Sequence, residues 1–265
     1  MVKQPNQSAK RKTEDIMADT PDHKNTPDNK PAAPADGKAR PEARIVQKDR
    51  VFDGFFKMDE LTIEHDTHAG DSMTVKRLIF ERGHAVAILG YDPARDEVLL
   101  VNEMRPGLLA AGDYPFNDSL PAGMIDKGED EITAAKREML EETGLELQNA
   151  RMIHPGAYVS SGGTSERLAL VFGTVDMTRA GGVHGHASEG EDIKTVILSS
   201  DEFIARAENG ALKDMKSLVC AFWLAKNRDM LRTAHAADKA QNDNPVQGDK
   251  SDNAAQAGAA RPPKP

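Results

Sequence analysis

All twelve aromatic residues of this 265-residue chain lie between Phe52 and Trp223. Ten of the fifteen prolines lie outside that stretch, in residues 1–41 and 241–265. A segment without large apolar side chains cannot bury enough surface to offset the entropy of ordering it. The ends are therefore expected to be disordered tails, at 1–43 and 233–265, around a middle long enough for one well-buried core. The net charge of −9 and the pI near 5.4 argue against a nonspecific nucleic-acid binder, which needs a basic face. Lys10, Arg11 and Lys12 are followed at once by Glu14, Asp15, Asp19 and Asp22, which reads as a mixed polar tail without a target. The single cysteine, Cys220, excludes an intrachain disulfide and sits in an apolar helical run, where a buried inert thiol is the default. No apolar run approaches the roughly 18 residues of a membrane span, and the N-terminus lacks a signal peptide's apolar segment. A cytoplasmic protein is expected.

Within the middle, 52–65 and 72–81 read as strands joined by a turn at Thr67–Asp71. His84–Tyr91 and Glu97–Met104 are further strands, and 106–118 reads as a loop. A helix is expected from about Glu129 to Thr143, ended by Gly144. Strands at 147–153, 166–175 and 193–198 follow. Ser199-Ser200-Asp201 should cap a helix running to about Glu208. A last helix, Lys213 to Arg232, carries Met215, Leu218, Phe222 and Ala225 as an apolar stripe. The segments 158–166 and 178–192 are glycine-containing loops; a structureless loop of about 15 residues is uncommon and often functional.

The helix after Glu129 carries the chemistry. At about 100° per residue, Glu138 and Glu142 lie one turn apart on one side, and Glu141 falls about 60° from Glu138. Ile132, Ala135 and Met139 form an adjacent apolar face that can dock on a sheet. Neighbouring carboxylates repel, the more so when desolvated, and a hard divalent cation with oxygen ligands relieves them. On the carboxylates alone, a solvated charged helix is the favoured reading. The complete pattern decides between them: Gly123, Glu129, Arg137-Glu138, Glu141-Glu142 and Gly144, with apolar residues between, resemble the Nudix box at every fixed position.

The resemblance implies an α/β/α sandwich with a mixed sheet, here preceded by a strand-rich N-terminal region at 44–82 and forming the Nudix domain over 83–232. It implies Mg²⁺- or Mn²⁺-dependent hydrolysis of a nucleoside diphosphate linked to another group. Glu138 and Glu142 would bind metal, Glu141 would complete the cluster, the Ala122 carbonyl would be a further ligand, and Glu129 would pair with Arg137. Further segments, Phe52–Phe56, Ile79–His84, Asn102–Arg105, Ser160–Arg167 and Glu189–Ile193, resemble bacterial ADP-ribose pyrophosphatases. That likeness assigns Glu189 as general base and Glu191 as metal ligand, with His184 and His186 as rival bases. It places Phe55 and Arg77 around the adenine with Phe56 and Arg82 close by, Arg105 on phosphate, and Ser160, Gly162 and Glu166 in the ribose loop. It also implies a homodimer through the first strands. The expected reaction takes ADP-ribose to AMP and ribose 5-phosphate. GDP-mannose or another nucleoside diphosphate sugar is the alternative substrate, and a non-catalytic ADP-ribose sensor the alternative class. Two departures from the family pattern stand out: Ser161 where relatives often have proline, and Ser119 where they frequently have glutamate.

Overall fold

The structure is a computed structural model and describes residues 40–188 and 190–243. Most of the two expected tails falls outside those residues. Two sheets are present. The first is a three-stranded antiparallel sheet in the order β1 (Ala43–Asp53), β2 (Lys57–Asp66), β3 (Ser72–Glu81). A single strand over 52–65 was expected; instead the chain reverses at Gly54, whose amide bonds the Phe56 carbonyl. The break puts Phe55 and Phe56 at a hairpin tip. The Thr67–Asp71 turn closes the next hairpin, with the Asp71 amide donating to Thr67 Oγ1 at 3.2 Å.

The second sheet has eight strands: β4 (Ala85–Asp92), β5 (Glu97–Met104), β6 (Phe116–Ser119), β7 (Ala122–Met124), β8 (Gln148–Tyr158), β9 (Arg167–Thr174), β10 (Val183–His184) and β11 (Ile193–Ser199). Its spatial order is β10-β11-β5-β4-β9-β8, with β6 against β5 and β7 against β4. β4 and β9 run parallel and the other pairs antiparallel, so the sheet is mixed.

Strand alternation feeds two cores, one on each face. On β4, Val86 and Ile88 face α2 (Glu131–Thr143) and pack with its Ala134, Ala135 and Met139. Ala87, Leu89 and Tyr91 face the other way, toward α3 (Ser200–Glu208) and α4 (Met215–Asp243), and pack with Phe203, Cys220 and Leu224. The result is a helix–sheet–helix sandwich. Asp96, at φ 61°, ties its outer layer together: it accepts from Tyr91 Oη at 2.6 Å, Ser200 Oγ at 2.7 Å and the Arg228 guanidinium.

Four expectations are corrected. Residues 106–118 are not a plain loop but contain α1 (Pro106–Ala111) and β6; Pro106 opens the short helix and Gly112, at φ 82°, closes it. The 178–192 segment is not structureless, since β10 pairs with β11. The last helix continues past Arg232 to Asp243 through an alanine-rich polar stretch, where propensity rather than an apolar stripe sustains it. Its buried residues are Ser217, Cys220, Ala221, Leu224 and Leu231, while Met215 and Phe222 are exposed. Among the described residues no helix is long and apolar enough to cross a membrane.

Candidate active site

The site forms where α2 lies across β7. Asp130 caps α2, accepting from the Thr133 amide at 2.8 Å, and Gly144 ends it at φ 70°. This orientation turns Glu138 and Glu142 inward against Ala122 and Gly123. The Ala122 amide donates to Glu142 Oε2 at 3.1 Å. Gly123 leaves room for Glu138: a Cβ there would sit 1.9 Å from its carboxylate. Glycine is required by this close approach, not by its backbone angles.

Both glutamates are nearly enclosed, 9% and 4% exposed. Burial pushes the Glu138 carboxyl up to about 7, opposed by Arg137 and reinforced by Glu141 and Glu191. Burial likewise pushes Glu142 up to about 8, reinforced by the charges of Glu138 and Glu103. Arg137 braces the cluster. It donates to both oxygens of Glu129 at 3.1 and 2.9 Å, to Glu138 at 2.8 Å, to Glu141 at 3.0 Å and to the Met124 carbonyl at 2.9 Å. Its bonds to Glu129, on the turn before the helix, fix that turn to α2, and they hold the Glu129 carboxyl below its ordinary range. No three of the described acidic, histidine or cysteine side chains already converge on one ligating point. Glu138 and Glu141 are engaged by Arg137 instead, and Glu142 by an amide.

Residues on both sides of position 189 lie against this cluster. Glu191 tucks against Gly185, where an added Cβ would come within 2.8 Å of the Glu191 Cβ, and accepts from the His186 amide at 3.0 Å. His186 Nε2 lies 3.7 Å from Glu141. The His184 ring turns to the Gly181 carbonyl at 2.9 Å. Glu189, assigned above as general base, lies outside the described residues.

A second group assembles around the end of β3. Phe55 and Phe56 meet edge-on, Phe56 meets Phe80, and the Arg82 guanidinium stands 5.0 Å from the Phe56 ring centre. Arg82 reaches Glu166 at 3.7 Å, and burial raises the Glu166 carboxyl against that arginine's pull. The 160–167 loop is pinned to β3, with the Phe80 amide donating to the Gly163 carbonyl at 2.8 Å and Ser165 to Glu81. The Ser160 carbonyl turns the loop by accepting from the Gly163 and Thr164 amides, and a Cβ at Gly162 would meet nothing within 4 Å. Arg77 is not part of this group. It lies two residues before Ile79, on the face of β3 opposite Phe80, and donates to the Lys76 carbonyl at 2.8 Å.

Arg105 approaches from β5, donating to Ser119 Oγ at 3.1 Å and pairing with Glu103 at 2.5 Å. Glu103 was missed by sequence reasoning. Burial raises its carboxyl, Arg105 and Lys216 oppose that, and Glu191 adds to it. The available signal was the alternation Leu99, Val101, Glu103, Arg105, which puts the carboxylate on the α2 face.

A mixed sheet thus lies between helices, with the carboxylates of Glu138 and Glu142 buried beside a glycine. The NUDIX domain family matches residues 81–215, and the chain belongs to that family. It is 34% identical over 211 residues to the ADP-ribose pyrophosphatase of Escherichia coli, covering 79% of this chain and 99% of the relative. The Haemophilus influenzae ADP-ribose pyrophosphatase is 32% identical, covering 71% and 88%. A GDP-mannose pyrophosphatase from Citrobacter koseri is 28% identical, covering 67% and 92%. The fold is also that of a solved ADP compounds hydrolase, with a TM-score of 0.56 at 18% identity over 72% of this chain and 98% of the other.

Proposed function

We propose that this chain is a divalent-metal-dependent hydrolase that splits the diphosphate of ADP-ribose into AMP and ribose 5-phosphate. The observation that carries the reading is the pair Glu138 and Glu142, buried against Ala122 and Gly123. It stands in a chain alignable with almost the full length of an ADP-ribose pyrophosphatase.

The donor set fits magnesium or manganese. Glu138, Glu141, Glu142 and Glu191, with the Ala122 carbonyl, offer hard oxygen ligands on three elements. Burial opposes ionisation of Glu138 and Glu142, so their charged forms call for a cation. When bound, a divalent ion neutralises diphosphate charge and acidifies water. The protein does the rest. Arg137 keeps the carboxylates in place from behind. Arg105 supplies a guanidinium for the diphosphate. Phe55, Phe56 and Arg82 offer aromatic and cationic surfaces to the adenine. Glu166, Ser160 and Gly162 present acceptors and open backbone to ribose. Glu189 takes the proton from the attacking water, on a segment whose neighbour Glu191 is anchored by His186.

The functional unit is a homodimer built on the N-terminal sheet. Along β1, Ile45, Val51 and Phe52 are exposed, as is Leu78 on β3, and a second copy would cover them. Arg77, exposed on the same sheet, is then available to the partner's adenine region. The protein is cytoplasmic and acts on a small molecule, without nucleic-acid or membrane partners.

Product analysis with magnesium and a panel of nucleoside diphosphate sugars tests the substrate. ADP-ribose should be cleaved fastest, yielding AMP and ribose 5-phosphate. Faster turnover of GDP-mannose would transfer the assignment to the second group of relatives. Binding without turnover of any of them would leave a sensor. Glu189→Gln set against His186→Ala tests the base; a wild-type rate in Glu189→Gln would remove Glu189 from that role.

A further inference from the structure

Glu103 stands outside the Nudix box, 35 residues before Glu138, yet β5 delivers it to the same enclosure. Leu99, Val101, Glu103 and Arg105 share one face of the strand, and Leu99 packs in the core built on α2. Val101 is fully buried and opposes Ser119 on β6. Glu103 is the next residue on that face, past the last β5–β11 pair, Asn102 with Lys194. There its charge acts on Glu142, and that of Glu191 acts on it.

Its pairing is incomplete. Oε1 is buried and lies 2.5 Å from Arg105, but off the line of any hydrogen bond, so it has no hydrogen-bond partner. Arg105 directs its own hydrogen bond to Ser119 instead. A buried carboxylate oxygen without an aligned donor is rare without a reason. Arg105 and Lys216 are the cations that act on Glu103, against the charge of Glu191; a divalent cation would coordinate the oxygen directly.

We propose that Glu103 is a further carboxylate of the metal centre, acting with Glu138, Glu142 and Glu191, and that the same side chain sets Arg105 toward the diphosphate. The inference rests on the metal-dependent reading above. It joins metal occupancy to phosphate contact through one residue: losing Glu103 weakens metal binding and leaves Arg105 without its acidic neighbour. A carboxylate that merely holds Arg105 would affect substrate binding alone.

Direct Mn²⁺ binding to the full chain, followed by electron paramagnetic resonance, separates the two. Glu103→Gln should weaken Mn²⁺ binding roughly tenfold, within the range seen when groups supporting a metal site are removed. The rise in melting temperature on adding Mg²⁺ should shrink with it. Arg105→Ala should raise KM for ADP-ribose while leaving Mn²⁺ affinity within about twofold of wild type, and so serves as the comparator. Wild-type Mn²⁺ affinity in Glu103→Gln would overturn the proposal and leave the hydrolase reading intact. No Mn²⁺ binding by the wild-type chain would overturn both. If Glu103→Gln does not melt cooperatively, Glu103→Asp decides: the shortened carboxylate should weaken Mn²⁺ binding several-fold, and unchanged affinity would overturn the proposal.

Discussion

The segment from Ala122 to Gly144 and the sheet from Ala43 to Glu81 are incomplete in opposite ways. The first buries charge: Glu138 and Glu142 are enclosed, with burial holding their carboxyls toward the neutral form. The second exposes apolar surface: Ile45, Val51, Phe52 and Leu78 are each more than half exposed. The sheet does satisfy its own buried charge, because Asp59 is matched by Lys48 at 2.8 Å and by Arg50. The Nudix segment in turn satisfies its apolar face, since Ala134, Ala135 and Met139 are fully covered. The two regions are thus the ones to which the proposed cation and the proposed second chain are assigned.

The largest expected effect comes from removing charge at the first region. Glu142→Gln should lower kcat/KM for ADP-ribose by on the order of 10²–10³ or more, the scale of losing one preorganised electrostatic contact. Steady-state kinetics at saturating magnesium would check this, and a near-wild-type rate would make the burial of Glu142 a packing feature only. Gly123→Ala comes next. The new methyl would enter the space of the Glu138 carboxylate, 1.9 Å away, and displace it. Activity should fall about 10²-fold, while overpacking costs about 1–3 kcal/mol in thermal or urea melts. Full activity with lowered stability would show that Glu138 need not stand beside β7.

The two regions were also unequally legible in the sequence. The Nudix segment is local: its spacings translate through one helix and two caps into geometry, so Glu129, Arg137, Glu138 and Glu142 are placed by the chain itself. Glu103 was not legible as a site residue, because its neighbours Glu142 and Glu191 come from distant elements and only strand alternation hinted at its face. In the sheet, hydrophobic patterning found β2 and β3 but missed most of β1: the expected strand began at 52 and ran on through the turn at Gly54, since Phe55 and Phe56 continue the apolar pattern. Arg77 shows the same gap: its placement with the adenine group came from a family likeness, and strand parity turns it away from Phe80 within one chain. The last helix has apolar residues on several sides, so periodicity could not choose the buried face. Ser217, Cys220, Ala221 and Leu224 are the residues fully buried there.

A third test addresses the sheet. Val51→Asp would place a charge in the apolar surface assigned to the second copy. Burying it unpaired costs about 3 kcal/mol, more than 100-fold in the dimer dissociation constant. Sedimentation velocity should find wild type dimeric at micromolar concentration and the variant shifted to monomer. A monomeric wild type would show that the sheet's exposed apolar residues have another use.

The smallest effect divides the regions by the sign of their pH dependence. Glu138 and Glu142 have carboxyls raised from 4.5 to about 7 and about 8. In the unfolded chain they ionise near the ordinary value, and in the folded chain they do not. Their contribution to metal-free stability is therefore full below about pH 4.3 and is lost as pH rises through about 7 and 8. Metal binding needs the ionised forms, so the rise in melting temperature on adding magnesium should grow over the same interval. Asp59 has the opposite sign. Burial pushes its carboxyl up, but Arg50 and Lys48 outweigh this and hold it below the ordinary range. Its contribution is present above about pH 4 and is lost as pH falls through the lowered value. Glu142→Gln should flatten the metal-free melting curve between about pH 5 and 8 and leave the acid limb unchanged, whereas Asp59→Asn should weaken the acid limb alone. A Glu142→Gln protein that still lost stability toward pH 8 as steeply as wild type would place that titration outside the Nudix segment.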